Sequence, residues 1–364
     1  MRIACTRSRL ARPVTDNPPT KQGGQVRPTD FAATDVEHFP FPLQDDSMRP
    51  RVDVEPACVA KDNGVGTWGR TMFVVDHNYE RTSQIRRDIL EADRARFTAF
   101  PHMITAQWDA MTYIMRRLAA EYPDDFAVRI SGTDWTWTNK LLDIHHDFVF
   151  GDADTLPHQP LEYIARQVQE DLLLLDVHEE GLVLDSALVT FSMAWSPTFT
   201  TGMTFHEAHG TIPRIMGDGT VSRAERFLMT MPPGEVYRRN PWSFQVGGRL
   251  DISMDTLPEW SAELSEFLAG DPHEQVGQRM RMRSEVSHFV RLPMTGVVLY
   301  TIRAQSITLE QLASVPAWAR RTVSVIEEQP KDLAHHRGFT LYGPVVLPYL
   351  KDRLDSTTGI RTSL

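Results

Sequence analysis

Cysteine is nearly absent: Cys5 and Cys58 are the only two in 364 residues. That excludes a disulfide framework, a CxxC zinc or redox motif and a four-cysteine iron–sulfur cluster. Reducing cytoplasm is the compartment this cysteine usage fits. Also missing is any run near the ~20 apolar residues that a transmembrane helix needs. No GxGxxG follows a strand pattern and no P-loop occurs. Asn63-Gly64-Val65-Gly66 reads only as a loop, so no nucleotide site is legible. Positive charge is in deficit, with 38 Lys and Arg against 48 Asp and Glu for a formal net charge of -10. Such a chain does not suit general nucleic-acid or anionic-membrane binding, because both draw on positive potential.

What is present is an ordinary globular composition, 41% hydrophobic and 24% charged. The length allows one large domain or two ordinary ones. Residues 1–60 lack periodicity and are rich in Pro, Asp and Thr, which predicts a flexible N-terminal tail or arm ahead of a single domain over 61–364. The first 29 residues are rich in Arg with Asp16 as the lone acid. A mitochondrial presequence would look similar, but no amphipathic stripe is seen, so a disordered tail is the expectation. Phe39, Phe41 and Leu43 are expected to pack onto the body.

Periodicity sets the elements. Residues 71–75 read as a short strand, and Ser83 to Phe97 as a helix capped by Ser83 with Ile85, Ile89 and Leu90 inward. Ile104, Trp108, Met111, Met115 and Leu118 recur at helical spacing between Met103 and Tyr122, and Pro123 ends that stretch. A third helix is expected from Pro160 to Leu175. Gly181 to Trp195 reads as strand. Residues 279–292 alternate, with Arg281, Arg283, Glu285 and Ser287 on one face and Met280, Met282, Val286 and Val290 on the other. Thr295 to Arg303 is a further strand, Thr308 and Gln311 form a capping box, and helices follow over Pro316 to Glu328 and Val346 to Arg353. Without βαβ alternation, the fold class is α+β with an antiparallel sheet.

Thirteen histidines are present, with clusters at His145-His146-Asp147, His206-Glu207-Ala208-His209 and His335-His336. His206 and His209, three apart, would share a helix face and could both meet a metal, so a non-haem metal enzyme is one reading. Arg281, Arg283, Arg303 and the pair Arg238-Arg239 are candidates to hold carboxylates, since guanidinium forks match that shape.

Several segments, in order, resemble the catalytic (alpha) subunit of haem-dependent oxidative N-demethylase and its relatives. They are Val168 to Leu175, Phe191 to Pro197 with Trp195, Gly202 to Pro213 with His209, and Arg239-Asn240 with Trp242. Arg283, Glu285, Leu292, Pro293 and Leu299-Tyr300-Thr301-Ile302-Arg303 complete the set. The resemblance spans about residues 70–350. It departs from the family pattern at Thr211, Val286 and Ser287.

The resemblance implies a single large PAS-like domain: a curved antiparallel sheet cupping haem b, with helices around it. It implies haem ligation by His209, with His206 as the alternative, propionate contacts from Arg239 and Arg303, and a pocket lined by Arg283 and Glu285. Glu285 would hold an ammonium substrate. The absence of CxxCH means that such a haem is not covalently attached. The implied reaction is oxidation of a small amine by dioxygen. Its electrons would come from separate flavin or iron–sulfur reductase subunits, since no such motif lies in this chain. A haem sensor or carrier without turnover is the other class that the departures leave open.

Overall fold

The computed structural model describes residues 32–46, 54–57, 59–270 and 272–359. Cys5 and Cys58, and the predicted tail over the first 31 residues, lie outside them. Strands β1 (Glu55–Pro56), β2 (Lys61–Asp62) and β3 (Thr67–Trp68) lead into α1 (Tyr79–Ala92) and β4 (Phe97–Ala99). Helix α2 (Ile104–Glu121) precedes β5 (Phe126–Ser131), β6 (Asp134–Asn139) and β7 (Ile144–Val149), a small sheet of their own. Then come α3 (Pro160–Ala165), β8 (Asp171–His178) and β9 (Gly181–Leu188). Helices α4 (Pro197–Thr200), α5 (Phe205–His209) and α6 (Thr220–Thr230) precede β10 (Val236–Arg239) and β11 (Trp242–Val246). After α7 (Leu257–Ala269) and α8 (Pro272–Arg279) run the two long strands β12 (Met280–Arg291) and β13 (Val298–Thr308). The described chain closes with α9 (Leu309–Ala313), α10 (Pro316–Glu328), α11 (Lys331–His336) and α12 (Phe339–Gly359).

The main sheet has strand order β1-β10-β12-β13-β8-β9-β4, with β11 also on β12. Every pairing in it is antiparallel, so the molecule is α+β as expected. Its two faces follow from the register of the central pair: Glu285 opposes Ala304 and Ser287 opposes Ile302, whereas Val286 opposes Arg303 and His288 opposes Thr301. Side chains alternate along a strand. One face, with Met282, Val290, Leu299, Leu172 and Leu174, is covered by α2 and by the C-terminal helices. On the other, Leu173, Phe289, Val298 and Ile302 pack against Leu228 and Met231 of the α6 region.

Helix α2 buries Trp108, Met111, Met115 and Leu118 as its spacing predicts, while Ile104 at its first turn stays exposed. Each such burial contributes roughly 1.5–3 kcal/mol. Phe41 stacks on Trp318 at 4.5 Å and Phe39 is fully buried, so the described part of the N-terminal segment is packed against the C-terminal helices. The Thr308–Gln311 capping box and the helix over Pro316–Glu328 are found where the sequence places them.

Three expectations are corrected. The helix over Pro160 to Leu175 ends at Ala165, and Leu172 to Leu175 belong to β8. Alternate leucines of that run bury on opposite faces of the sheet, and a strand buried on both sides carries no period that separates it from a buried helix. Residues 71–75 are not a strand. Their backbone N–H groups donate instead to side chains: Met72 and Phe73 to Glu121, Val74 to Glu170, and Val75 to the Tyr122 hydroxyl. Helix α1 begins at Tyr79 rather than at Ser83, and β4 occupies Phe97–Ala99 where the sequence reading had its last turn.

Candidate functional site

Helix α5 is short but well defined, because Thr204 and Glu207 form a capping box at its start. Its Phe205 packs on the cluster of Phe289 and Ile302, the sheet face that also carries Glu285 and Ser287, and His209 lies within the field of Arg239. The His209 ring lies 4.3 Å from that of Phe205, and Nδ1 donates to the Phe205 carbonyl at 2.7 Å. A carbonyl can only accept, so Nδ1 carries the proton and Nε2 is left with a free lone pair. Burial holds this imidazole below its ordinary pKa; the Phe205 contact opposes that, and the charges of Arg239 and His206 add to it.

Arg239 ends β10 directly opposite Ser287. Its guanidinium has no hydrogen bond or ion pair with any described residue, yet its charge reaches His209, Tyr300 and Arg337. Arg337, at the C-terminal cap of α11, is likewise without a partner among the described residues. Desolvation and the Arg239 charge both lower its pKa. Tyr300 stacks on Phe289 at 4.7 Å, and its hydroxyl lies 3.1 Å from Ser287 Oγ. Burial pushes that phenol up, Arg239 opposes the rise and Glu285 adds to it, so it sits within the fields of both charges.

Glu285 and Arg283 share this face, as their spacing predicts, with Arg283 Nε donating to Glu285 Oε1 at 2.8 Å. The rest of the Arg283 fork is occupied by the Gln245 side chain and the carbonyls of Leu250 and Phe191. Arg283 is therefore a clamp, 1% exposed, that fixes Glu285 and two loops. Glu285 Oε2 has no partner among the described residues.

Two sequence candidates sit differently. His206 turns its Nε2 to Glu225 Oε2 at 3.0 Å, and Glu225 also accepts from Leu182 N. Among the described residues, His206 and His209 share no third metal ligand. Arg303 points to the opposite face, where it donates to Asp76 Oδ2 at 2.7 Å and to the Ala304 carbonyl. Burial works against the Asp76 charge, but Arg303 and Gln169 hold its pKa below the ordinary value. Arg303 is thus a buried partner of Asp76 and is not brought to His209. The His145–His146 cluster lines a separate open cleft of about 650 Å³ beside β7 with Tyr163, away from all of these residues.

Tyr300, Ser287 and Arg337 join the set although sequence reasoning gave them no role. Tyr300 was detectable from its place in the alternation of β13. Arg337 lies 98 positions beyond Arg239 and carried no local signal.

The family model for haem-dependent oxidative N-demethylase, alpha subunit-like, matches residues 66–347. The chain belongs to that family. The family is named for haem, and the residues present fit such a group. His209 offers an uncommitted Nε2 whose ring is oriented by a backbone carbonyl, the usual arrangement of a ligating imidazole. Arg239 and Arg337, both without partners among the described residues, suit a pair of propionates. Among the described residues, no helix is long and apolar enough to cross a membrane.

Proposed function

We propose that this chain is the haem b-binding catalytic subunit of an amine oxidase of the N-demethylase type, working in reducing cytoplasm with a separate flavin or iron–sulfur reductase. The substrate is a small secondary or tertiary amine. One oxygen atom of dioxygen ends in the released aldehyde and the other in water, with two electrons from the reductase and two protons from solvent. Residues 61–364 act as one PAS-like unit, a reading that the antiparallel sheet with helices on both sides supports. Residues 32–46 serve as an arm upon it, with Phe39 and Phe41 packed against Trp318.

The observation that carries the proposal is His209: Nδ1 held by the Phe205 carbonyl, Nε2 free, and the unpaired Arg239 beside it. His209 is assigned as the iron ligand, with Arg239 and Arg337 neutralising the propionates. Bound haem supplies the one-electron and dioxygen chemistry that no side chain here offers. Glu285 holds the substrate ammonium through its free carboxylate oxygen, and Arg283 fixes that carboxylate in place. The Tyr300–Ser287 hydroxyl pair holds a proton at the edge of the same face.

The test is a visible absorption spectrum after haem reconstitution of wild type, His209→Ala and His206→Ala, followed by reductant consumption with secondary and tertiary amines. A Soret band that is lost or shifted only in His209→Ala supports the assignment. No Soret band in wild type refutes haem binding. A normal band with no amine-dependent consumption would make the protein a haem sensor or carrier.

A further inference from the structure

We propose that His102, Asp176, His178 and Asp185 form a binding site for a divalent transition-metal ion of the Zn2+ type, separate from the haem site. The hairpin register creates it. Leu174 opposes Ser186 but Leu175 opposes Leu184, so Asp185 is an extra residue on β9. Such bulges re-aim one side chain while leaving the strand paired. The Asp185 carbonyl accepts from Phe100 N at 3.0 Å, which anchors the 3-10 turn Pro101–Met103 that carries His102.

The bulged carboxylate is 1% exposed and meets two imidazoles at one oxygen. Asp185 Oδ2 lies 2.6 Å from His178 Nε2 and 3.2 Å from His102 Nε2. With Asp176, one donor atom from each of the four residues falls within 4.8 Å of all the others. Donors bonded at about 2.0–2.2 Å to a tetrahedral ion lie ~3.4 Å apart, so an ion would spread the close His178–Asp185 pair and draw the more distant donors inward. The histidine side chains are 50% and 33% exposed, so they have room to turn.

The donor set decides the ion. Two neutral imidazoles and two carboxylates balance a divalent charge, and mixed nitrogen and oxygen donors suit Zn2+ better than Mg2+ or Ca2+. Without an ion, two ring N–H groups must share one oxygen, and protonating both rings would set two cations side by side. Asp176 and His178 continue the face of Leu172 and Leu174, opposite to that of Glu285, so these ligands do not serve the amine site. Bound metal would tie the β8–β9 hairpin to the turn that starts α2.

The experiment is zinc titration of full-length protein by calorimetry after chelator treatment, with elemental analysis counting zinc and haem iron separately. Co2+ serves as the spectroscopic probe. Wild type should retain one zinc per chain and give visible Co2+ bands. His102→Ala/His178→Ala should bind at least about 100-fold more weakly, and a His206→Ala/His209→Ala control should bind normally. Asp185→Asn should weaken binding as well; because it is buried, the exposed His102→Ala alone provides a variant that keeps its fold, with an expected loss of about tenfold. Unchanged zinc affinity in His102→Ala/His178→Ala, or no zinc retained by wild type, overturns the site and leaves a hydrogen-bonded triad. Both results are independent of whether haem is bound.

Discussion

Replacing Arg283 by methionine keeps the volume and removes the fork. Four acceptors then lose their donor: Glu285 Oε1 at 2.8 Å, Gln245 Oε1 at 3.2 Å, the Leu250 carbonyl at 2.8 Å and the Phe191 carbonyl at 2.5 Å. Each orphaned acceptor costs ~1–3 kcal/mol. Their sum overstates the loss, since water can enter and loops relax, and breaking one buried charge pair costs about 3–5 kcal/mol. At about 2 °C per kcal/mol for a large domain, the melting temperature should fall by roughly 6–10 °C. Arg283→Lys keeps one charged donor and should lose about half as much. The assay is thermal unfolding by circular dichroism, with amine KM measured in parallel on folded protein. Because Glu285 is no longer held, KM for amine should rise about tenfold in the methionine variant, equivalent to ~1.4 kcal/mol. A methionine variant that melts within 2 °C of wild type, with the same KM, would refute the clamp.

Glu285→Gln should raise amine KM by about 10–100-fold, the loss of a charged hydrogen bond of ~1.5–3 kcal/mol, and leave the Soret band unmoved; an unchanged KM would exclude Glu285 from substrate binding. Arg239→Met should release haem about tenfold faster to an acceptor globin, corresponding to ~1.4 kcal/mol of lost propionate pairing, a rate that stopped-flow absorbance can follow. His288 is buried with neither ring nitrogen bonded among the described residues, and burial, with the charges of Arg238 and Arg117, pushes its pKa down to about 3. The unfolded chain binds this proton at higher pH than the folded one, so stability falls as pH drops from 6.5 toward 3, by about 3 kcal/mol at pH 4.5. His288→Leu should therefore flatten the melting temperature between pH 7 and pH 4.5; an equally steep fall in the variant would assign the acid sensitivity to other groups.

Much of the secondary structure was legible where one face of an element is buried and the other is wet. Helix α2 and helix α10 have that character, and strand β12, though buried on both faces, alternates polar with apolar side chains; the patterns of all three gave near-correct bounds. The Leu172–Leu175 run defeated the same reasoning because both of its faces are buried. Met72 to Val75 defeated it for another reason. Their backbone is satisfied by Glu121, Tyr122 and Glu170, which lie 47 to 96 positions away in the chain, and nothing local announces such partners.

The site shows the same division at finer scale. Alternation along β12 puts Arg283, Glu285 and Ser287 on one face, and that required only the sequence. Placing Arg303 required the register of β13 against β12, and a slip of one residue exchanges the faces of a whole strand. Arg303 opposes Val286, so it meets Asp76 rather than the His209 side. Choosing between His206 and His209 required α6, because Glu225 from that helix occupies the Nε2 of His206. His209 keeps its Nε2 open because its own helix supplies the Phe205 carbonyl to the other nitrogen. Local spacing thus narrowed the ligand to two residues, and a contact 19 positions away separates them. The same contact gives a control: Glu225→Gln weakens the hold on His206 without touching His209. If His209 alone ligates the iron, that variant leaves the Soret maximum where it was, whereas a shift would mean that the imidazole of His206 reaches the haem.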